Sequence, residues 1–242
     1  MNKSEIVLIT GGNKGIGLET ARQLGKMGYE ILIGARSGDK GQEAVTLLKS
    51  ENIKAKTVIL DVTNPGSVNS AVEWIEQEYG YLDILINNAG VFLEGNTPPS
   101  ELELSVLKST YETNVFGVFS VTKAMLPLLK KSSAGKIVNL SSGLGSLNLN
   151  SDPTSEFYSV NSLAYNSSKT VVNAITVFFA KELRDTPIKV NSVCPGFTAT
   201  DLNGNSGYRS VEQAASIVVK LATVNSDGPT GGFFDDHGVV AW

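Results

Sequence analysis

Short apolar runs alternate with longer amphipathic stretches along this chain of 242 residues. Seven runs have the length and composition of buried β-strands, at 6–9, 31–33, 57–60, 84–86, 137–140, 189–193 and 232–234. Helical periodicity is found between them, at 16–27, 40–50, 67–79, 102–130, 164–184 and 211–222. Runs that are apolar throughout indicate burial on both faces, so the pattern predicts an α/β protein with a doubly wound parallel sheet of about seven strands and helices on both faces. The alternative is some other α/β fold, a barrel included, although a (β/α)8 barrel requires an eighth unit.

One stretch interrupts this alternation. Residues 143–161 are rich in Ser, Asn, Gly and Pro, and we interpret them as a loop inserted between a strand and the next helix. Such a loop is either functional or a tolerated surface insertion. No linker, repeat or low-complexity segment divides the chain, so we predict a single domain over residues 1–242.

Composition and charge exclude several classes of protein. With 41% apolar residues, 18% charged residues and a net charge of −4, the chain has no dense basic patch, and we expect a globular protein with no nucleic-acid partner. The single cysteine and single histidine exclude an intrachain disulfide and an ordinary zinc site, so we predict no metal. The apolar run 6–9 is too short for a signal or membrane segment, so we expect a cytoplasmic protein with no membrane partner.

A glycine-rich turn follows the first predicted strand and opens the first predicted helix. Residues without a Cβ let the backbone approach a pyrophosphate, and a helix N-terminus supplies free N–H groups. We therefore predict that this turn binds a dinucleotide through Gly11, Asn13, Lys14, Gly15, Ile16 and Gly17. Its spacing is G-x-x-x-G-x-G rather than G-x-G-x-x-G, and a glycine trio alone is weak evidence.

The end of the second predicted strand bears on the choice of nicotinamide cofactor. An acid at this place binds the ribose 2′-hydroxyl of NAD, whereas this chain has Arg36. A guanidinium can hold a 2′-phosphate by two hydrogen bonds, and Lys14 could add a second positive charge. We therefore predict NADP(H), with NAD(H) less favoured. The alternative is that both residues are solvated surface cations.

The next two strand ends also carry candidate cofactor ligands. Asp61 and Val62 could meet the adenine, although Asp61 could instead cap the following helix. Asn88, Ala89 and Gly90 could let the cofactor cross the edge of the sheet, or form a plain turn.

Tyr165 and Lys169 stand four residues apart in a predicted helix and therefore share one face. A nearby ammonium lowers the pKa of a phenol, which is about 10 when unperturbed. Such a pair can exchange a proton with a carbonyl or an alcohol.

These motifs together resemble the short-chain dehydrogenase/reductase family, whose fold is of the Rossmann type, and most closely its carbonyl reductase branch. The resemblance covers nearly the whole chain, in family order: Thr10-Gly11-x-x-x-Gly15-Ile16-Gly17, Asp61, Asn87-Asn88-Ala89-Gly90, Asn114, Ser142, Tyr165-x-x-x-Lys169 and Pro195-Gly196-x-x-x-Thr200. It implies that Tyr165 is the general acid and also contacts the cofactor, and that Lys169 holds the nicotinamide ribose. Ser142 would orient the substrate oxygen, and Asn114 would hold a water that links Lys169 to solvent.

Alternatives remain for two of these residues and for the loop after the sixth strand. Asn114 could merely satisfy a buried backbone group, and Ser142 could cap a strand end. The resemblance implies that the loop binds the nicotinamide carboxamide, through Pro195, Gly196, Thr198 and Thr200.

In the carbonyl reductase branch, an insertion before the catalytic tyrosine covers the helix that other members use to dimerise. The stretch 143–161 resembles it, so we expect a monomer. Apolar side chains here suggest a hydrophobic carbonyl substrate, although they could instead pack the insertion onto the protein: Leu144, Leu147, Leu149, Phe157 and Tyr158.

The sequence thus predicts an NADPH-dependent carbonyl reductase acting on a small molecule. The alternatives are an alcohol dehydrogenase that works oxidatively with NAD(P), and a non-catalytic nucleotide-binding protein of the same fold.

Overall fold

The computed structural model describes residues 4–242. Within them the strands are β1 (Ile6–Thr10), β2 (Glu30–Ala35), β3 (Ala55–Ile59), β4 (Ile84–Asn87), β5 (Lys136–Leu140), β6 (Lys189–Val193), β7 (Phe233–Asp235) and β8 (Gly238–Val239). They form one sheet in the order β3-β2-β1-β4-β5-β6-β7-β8. All neighbours are parallel except β7 and β8. The predicted doubly wound parallel sheet is confirmed.

The sheet has one strand more than the sequence pattern predicts. The two residues of β8 pair antiparallel with β7, through Phe234 with Val239 and Asp235 with Gly238. A tight turn makes this pairing possible, because the Asp235 carboxylate accepts from the N–H groups of His237 and Gly238. A strand of two residues is too short to produce a periodic signal in the sequence.

Helices cover both faces of the sheet. They are α1 (Gly15–Lys26), α2 (Gly38–Ser50), α3 (Pro65–Glu78), α4 (Leu104–Tyr111), α5 (Val118–Leu129), α6 (Leu147–Ser151), α7 (Leu163–Glu182) and α8 (Val211–Ala222). Alternate residues of β1 face opposite layers. Ile6 and Leu8 join the core beneath α3, α5 and α7, and Val7 and Ile9 join the core beneath α1, α2 and α8. The period of two along a strand produces this division.

The long helix predicted over 102–130 is interrupted. A π-helical turn over Glu112–Gly117 separates α4 from α5. Turns of this kind insert an extra residue into a helix and are frequent at functional sites. Asn114 lies in the turn, and its side chain binds both backbone polar groups of Val91. The interruption thus accompanies a long-range contact that helical periodicity cannot report.

The stretch 143–161 is not the continuous loop that its composition predicts. It contains a 3-10 turn over Gly143–Gly145 and the short helix α6. Serine side chains start both elements, since Ser142 Oγ accepts from Leu144 N at 3.2 Å and Ser146 Oγ accepts from Leu149 N at 3.1 Å. Serine favours helix starts as well as loops, which explains the error.

A chain of buried polar side chains crosses the middle of the sheet. The Asn87 amide donates to Asn139 Oδ1 at 2.8 Å, and the Asn139 amide donates to Thr176 Oγ1 at 2.8 Å. Thr176 Oγ1 lies 2.7 Å from Ser192 Oγ. These hydrogen-bonded side chains join β4, β5, β6 and α7. Over residues 4–242, no helix is both long and apolar enough to cross a membrane.

Candidate active site

The predicted site segments lie along one edge of the sheet. They begin after the carboxyl ends of β1, β2, β4, β5 and β6, at Gly11, Arg36, Asn88, Ser142 and Pro195. In a parallel sheet these ends share an edge, and β1 and β4 are neighbours where the order of strands reverses. Ligands of doubly wound proteins bind at such a switch point.

The glycine turn is shaped by backbone conformation and close packing. Gly11 and Gly15 have φ of +60° and +57°, a region that favours glycine. A Cβ at Gly17 would lie 2.5 Å from the Asn88 amide nitrogen. That amide donates to the backbone oxygens of Thr10 at 2.8 Å and Gly11 at 3.0 Å. The Asn88 side chain, predicted as a cofactor ligand, therefore braces the turn.

The residues after Asn88 bring the turn and the predicted catalytic groups together. Ala89 N donates to Thr10 Oγ1 at 3.0 Å. A Cβ at Gly90 would lie 3.4 Å from Asn114 Oδ1 and 3.7 Å from Lys169 Nζ. Gly90 thus lies beside two predicted catalytic side chains.

The start of α1 fits a bound pyrophosphate. The helix begins at Gly15, and its N-cap residue Lys14 makes no side-chain cap. The first N–H groups therefore lack the side-chain acceptor that usually satisfies them, and an anion can take its place. Asn13 lies in the same turn, whereas Ile16 packs partly against the core beneath α1.

Lys14 lies in an ion pair at the glycine turn, and Arg36 lies exposed after β2. Lys14 Nζ lies 2.8 Å from a carboxylate oxygen of Asp201, and both side chains are about two-thirds exposed. A Cβ at Gly15 would lie 3.6 Å from Thr200 Cγ2, so the glycine turn touches the loop after β6. Asp201 would therefore compete with a cofactor phosphate for the Lys14 ammonium.

Asp61 does not cap α3. The N-cap is Asn64, whose Oδ1 accepts from Gly66 N and Ser67 N. Asp61 Oδ1 instead accepts from the N–H and hydroxyl groups of Thr63. Val62 packs partly against the core beneath α3. The capping alternative for Asp61 is therefore wrong.

Tyr165, Lys169 and Ser142 lie together where β5 ends and α7 begins. Lys169 Nζ is 5.6 Å from the centre of the Tyr165 ring. Lys169 is buried, and its ammonium donates to Leu140 O at 2.8 Å. The Ser142 hydroxyl lies close enough to Tyr165 to lower the pKa of the phenol.

Burial dominates the electrostatics of this pair. It raises the pKa of Tyr165, and the nearby Cys194 raises it further, against the smaller lowering effect of Ser142. Burial lowers the pKa of Lys169 to about 8. The expectation that Lys169 depresses the pKa of the phenol is not met in this state. Burial disfavours the charged form of Lys169 itself, and its ammonium donates a hydrogen bond to Leu140 O.

Asn114 satisfies backbone groups, as the structural alternative for this residue predicts. Its Oδ1 accepts from Val91 N at 2.8 Å, and its Nδ2 donates to Val91 O at 2.9 Å and to Ser168 Oγ at 3.0 Å. These three bonds fix the segment after β4 and join it to α7.

The loop after β6 is held by hydrogen bonds and by an arginine. Thr198 Oγ1 lies within hydrogen-bond distance of the backbone oxygens of Pro195 and Gly196. A Cβ at Gly196, whose φ is +74°, would lie 2.5 Å from Arg209 Cδ. Arg209 pairs with Asp236 and also donates to the backbone of α8. The loop is therefore anchored to two neighbouring elements.

Sequence analysis misses three residues around the predicted site. The Phe92 ring meets the Tyr165 ring edge to face, with 5.4 Å between centroids. The Glu94 carboxylate accepts from two N–H groups in the first turn of α7. Arg209 is the third. No motif marks these residues, because each contact joins parts of the chain that are distant in sequence.

The apolar residues of the insertion have different environments. Phe157 packs against Gly143, where a Cβ would lie 2.5 Å from the ring, and Leu149 packs beside the small buried cluster near β7. Leu147 and Tyr158 are 65% and 53% exposed. Leu144, the fifth of these residues, is half-buried. The packing alternative therefore holds for Phe157 and Leu149, whereas Leu147 and Tyr158 are exposed.

Comparisons with known proteins agree with this arrangement. A family model described as short chain dehydrogenase matches residues 5–209. The chain is 38% identical over 227 residues to the short-chain dehydrogenase anuI of Penicillium roqueforti, with 91% of this chain and 89% of that protein covered. It is 31% identical over 276 residues to carbonyl reductase (NADPH) 1 of Mus musculus, with 98% of each covered. The NADPH-bound carbonyl reductase from chicken fatty liver has a similar structure, with a TM-score of 0.85, 25% identity, and 99% and 100% coverage.

The chain therefore belongs to the short-chain dehydrogenase family. Within that family it is similar to the carbonyl reductase branch. The predicted resemblance, fold class and oxidoreductase class are confirmed. The roles of individual site residues stay predictions.

Proposed function

We propose that this protein is an NADPH-dependent carbonyl reductase in which Tyr165 donates the proton. The proposal rests chiefly on one observation: the Tyr165 side chain lies near both the hydroxyl of Ser142 and the amine of Lys169, and that amine lies beside Gly90. Bound NADPH supplies the hydride for such a reduction. The names of the relatives that bind or use NADPH support this choice of cofactor.

Ser142, Tyr165 and Lys169 have different roles in the proposed reduction. Ser142 orients the carbonyl oxygen through its hydroxyl, and Tyr165 gives that oxygen a proton. The phenol is protonated at neutral pH, although burial raises its pKa and makes it a weaker acid than tyrosine in water. Lys169 holds the nicotinamide ribose, and Asn114 holds the strand end beside it.

The role of Tyr165 is tested by the substitution Tyr165→Phe. Removing the hydroxyl should lower kcat by about 100-fold to 10,000-fold and leave NADPH binding intact, because the ring and its packing against Phe92 remain. Tyr29→Phe is the matched control, since Tyr29 lies just before β2 at the opposite edge of the sheet. Full activity of Tyr165→Phe on every carbonyl that the wild type reduces would refute the assignment.

The cofactor choice is tested by the substitution Arg36→Ala. Loss of the guanidinium should weaken NADPH far more than NADH, since only NADPH carries the 2′-phosphate. Lys49→Ala in the last turn of α2 controls for the loss of a surface cation. An equal loss for both cofactors contradicts the 2′-phosphate assignment.

We further propose a hydrophobic carbonyl substrate that meets the exposed side chains of Leu147 and Tyr158. NADPH consumption with a panel of aldehydes, ketones and quinones tests this class. Polar carbonyl compounds that are reduced faster than apolar ones would contradict it.

The predicted monomer and cytoplasmic location are also part of the proposal. The insertion contacts α7 at Asn166, whose amide donates to Asn150 Oδ1 and Val160 O. Phe178, further along α7, remains 66% exposed. Gel filtration tests the predicted monomer, and a stable tetramer would refute it.

Fractionation of cells tests the predicted cytoplasmic location, for which the buried free thiol of Cys194 is consistent with a reducing compartment.

A further inference from the structure

The segment after β4, residues 91–97, reaches the start of α7 at three places. The Phe92 ring packs edge to face on the Tyr165 ring. The Glu94 carboxylate binds the helix backbone, and the Ser162 hydroxyl donates to Gly95 O at 3.2 Å. The proposed proton donor and this segment are therefore in direct contact.

The start of α7 has an unusual cap. The N-cap residue Ser162 makes no side-chain cap, because its hydroxyl is directed at Gly95. Glu94 replaces it: Oε2 accepts from Ala164 N at 2.8 Å, and Oε1 accepts from Tyr165 N at 2.6 Å. These are the second and third N–H groups of the helix, which a local N-cap normally satisfies. A carboxylate about 70 residues away caps the helix instead.

Glu94 is itself fixed in place. It is 7% exposed, and its backbone oxygen accepts from Thr97 Oγ1 at 2.7 Å. Three residues earlier, Asn114 holds both backbone polar groups of Val91. A carboxylate at a helix N-terminus is stabilised by the helix dipole, and its hydrogen bonds are charge-assisted. Hydrogen bonds therefore hold the segment both at Val91 and at Glu94.

We propose that Glu94 is a positioning residue that sets the place of the Tyr165 phenol by fixing the first turn of α7. The inference rests on the proposed function, since it takes Tyr165 as the proton donor. Tyr165 is the third residue of the helix, so its backbone N–H is one of the two groups that Glu94 binds. A displacement of about 1 Å in a reacting group can cost about 100-fold in rate.

The substitutions Glu94→Gln and Glu94→Ala remove one and two of the acceptor oxygens. Glu101→Gln is the matched control, because Glu101 is an exposed acid in the same connection between β4 and α4. Fluorescence titration with NADPH counts competent sites and gives Kd. Turnover of a carbonyl that the wild type reduces then gives kcat per competent site, and deuterated NADPH gives the primary isotope effect.

We expect Glu101→Gln to match the wild type. Glu94→Gln should lose about tenfold and Glu94→Ala about 100-fold in kcat per competent site, with Kd for NADPH within about twofold. The primary isotope effect should rise as the chemical step slows. Amide exchange over residues 163–168 should speed up in the same order, whether or not a substrate is present.

Each other outcome contradicts a defined part of the argument. If the Glu94 variants only lose competent sites and keep kcat per site, Glu94 is structural and the inference is wrong. Equal losses in kcat and in NADPH affinity would place its effect on the cofactor site and also overturn it. A wild type that reduces no carbonyl, or a fully active Tyr165→Phe, refutes the proposed function first and this inference with it.

Discussion

The ion pair between Lys14 and Asp201 is expected to weaken the binding of NADPH. Asp201, a carboxylate oxygen of which lies 2.8 Å from the Lys14 ammonium, competes with a cofactor phosphate for this cation. The substitution Asp201→Asn removes this competitor and should tighten NADPH binding. Both side chains are about two-thirds exposed, and exposed pairs of this kind shift equilibria by only about 1.4-fold to fivefold.

NADH provides the internal control for this experiment. It lacks the 2′-phosphate, so Asp201→Asn should change its Kd less than that of NADPH. Fluorescence titrations at about 0.1 M and 1 M salt add a second test, because screening should reduce the gain at the higher concentration. The reasoning is wrong if NADH gains as much as NADPH, or if the gain is independent of salt.

Two further predictions concern the interior of the site. The pKa of Lys169 is lowered to about 8 by burial, so between pH 8 and about 10.4 the unfolded chain binds more protons and the folded state gains stability as pH rises, by on the order of 3 kcal/mol at most. The raised pKa values of Cys194 and Tyr165 oppose this rise, so the contribution of Lys169 is the difference in pH dependence between the wild type and a Lys169→Met variant in urea unfolding, and equal pH dependence of the two would contradict it. Asn88→Ala should cost about 1–3 kcal/mol of stability and weaken NADPH and NADH equally, because the Asn88 amide braces the turn that serves both. Gly17→Ala should then destabilise the protein less in the Asn88→Ala background, because the new Cβ no longer meets the Asn88 amide. Additive changes in the free energy of unfolding in a double-mutant cycle would contradict this close approach of residues 17 and 88.

The sequence predicts those parts of the molecule that depend on local pattern. Apolar runs such as 6–9 and 84–86 predict the parallel strands because both faces of each strand are buried. The spacing of Tyr165 and Lys169 predicts their common face for the same local reason.

Local pattern does not determine contacts between distant segments. The Glu94 carboxylate caps a helix about 70 residues further along, and the Asn114 side chain binds Val91 within an interrupted helix. The Asn88 side chain looks like a cofactor ligand in the sequence, whereas its hydrogen bonds go to the glycine turn. Such contacts depend on which strands are neighbours, and a periodic signal carries no information about that.

The hydrogen-bonded amides and hydroxyls inside the sheet limit which substitutions this enzyme can accept. Asn139 both accepts from Asn87 and donates to Thr176, so an apolar replacement at this one position removes one hydrogen bond from each of two buried partners. A mutant library meant to change the accepted carbonyl should leave these positions constant and vary Leu147 and Tyr158, whose side chains face solvent.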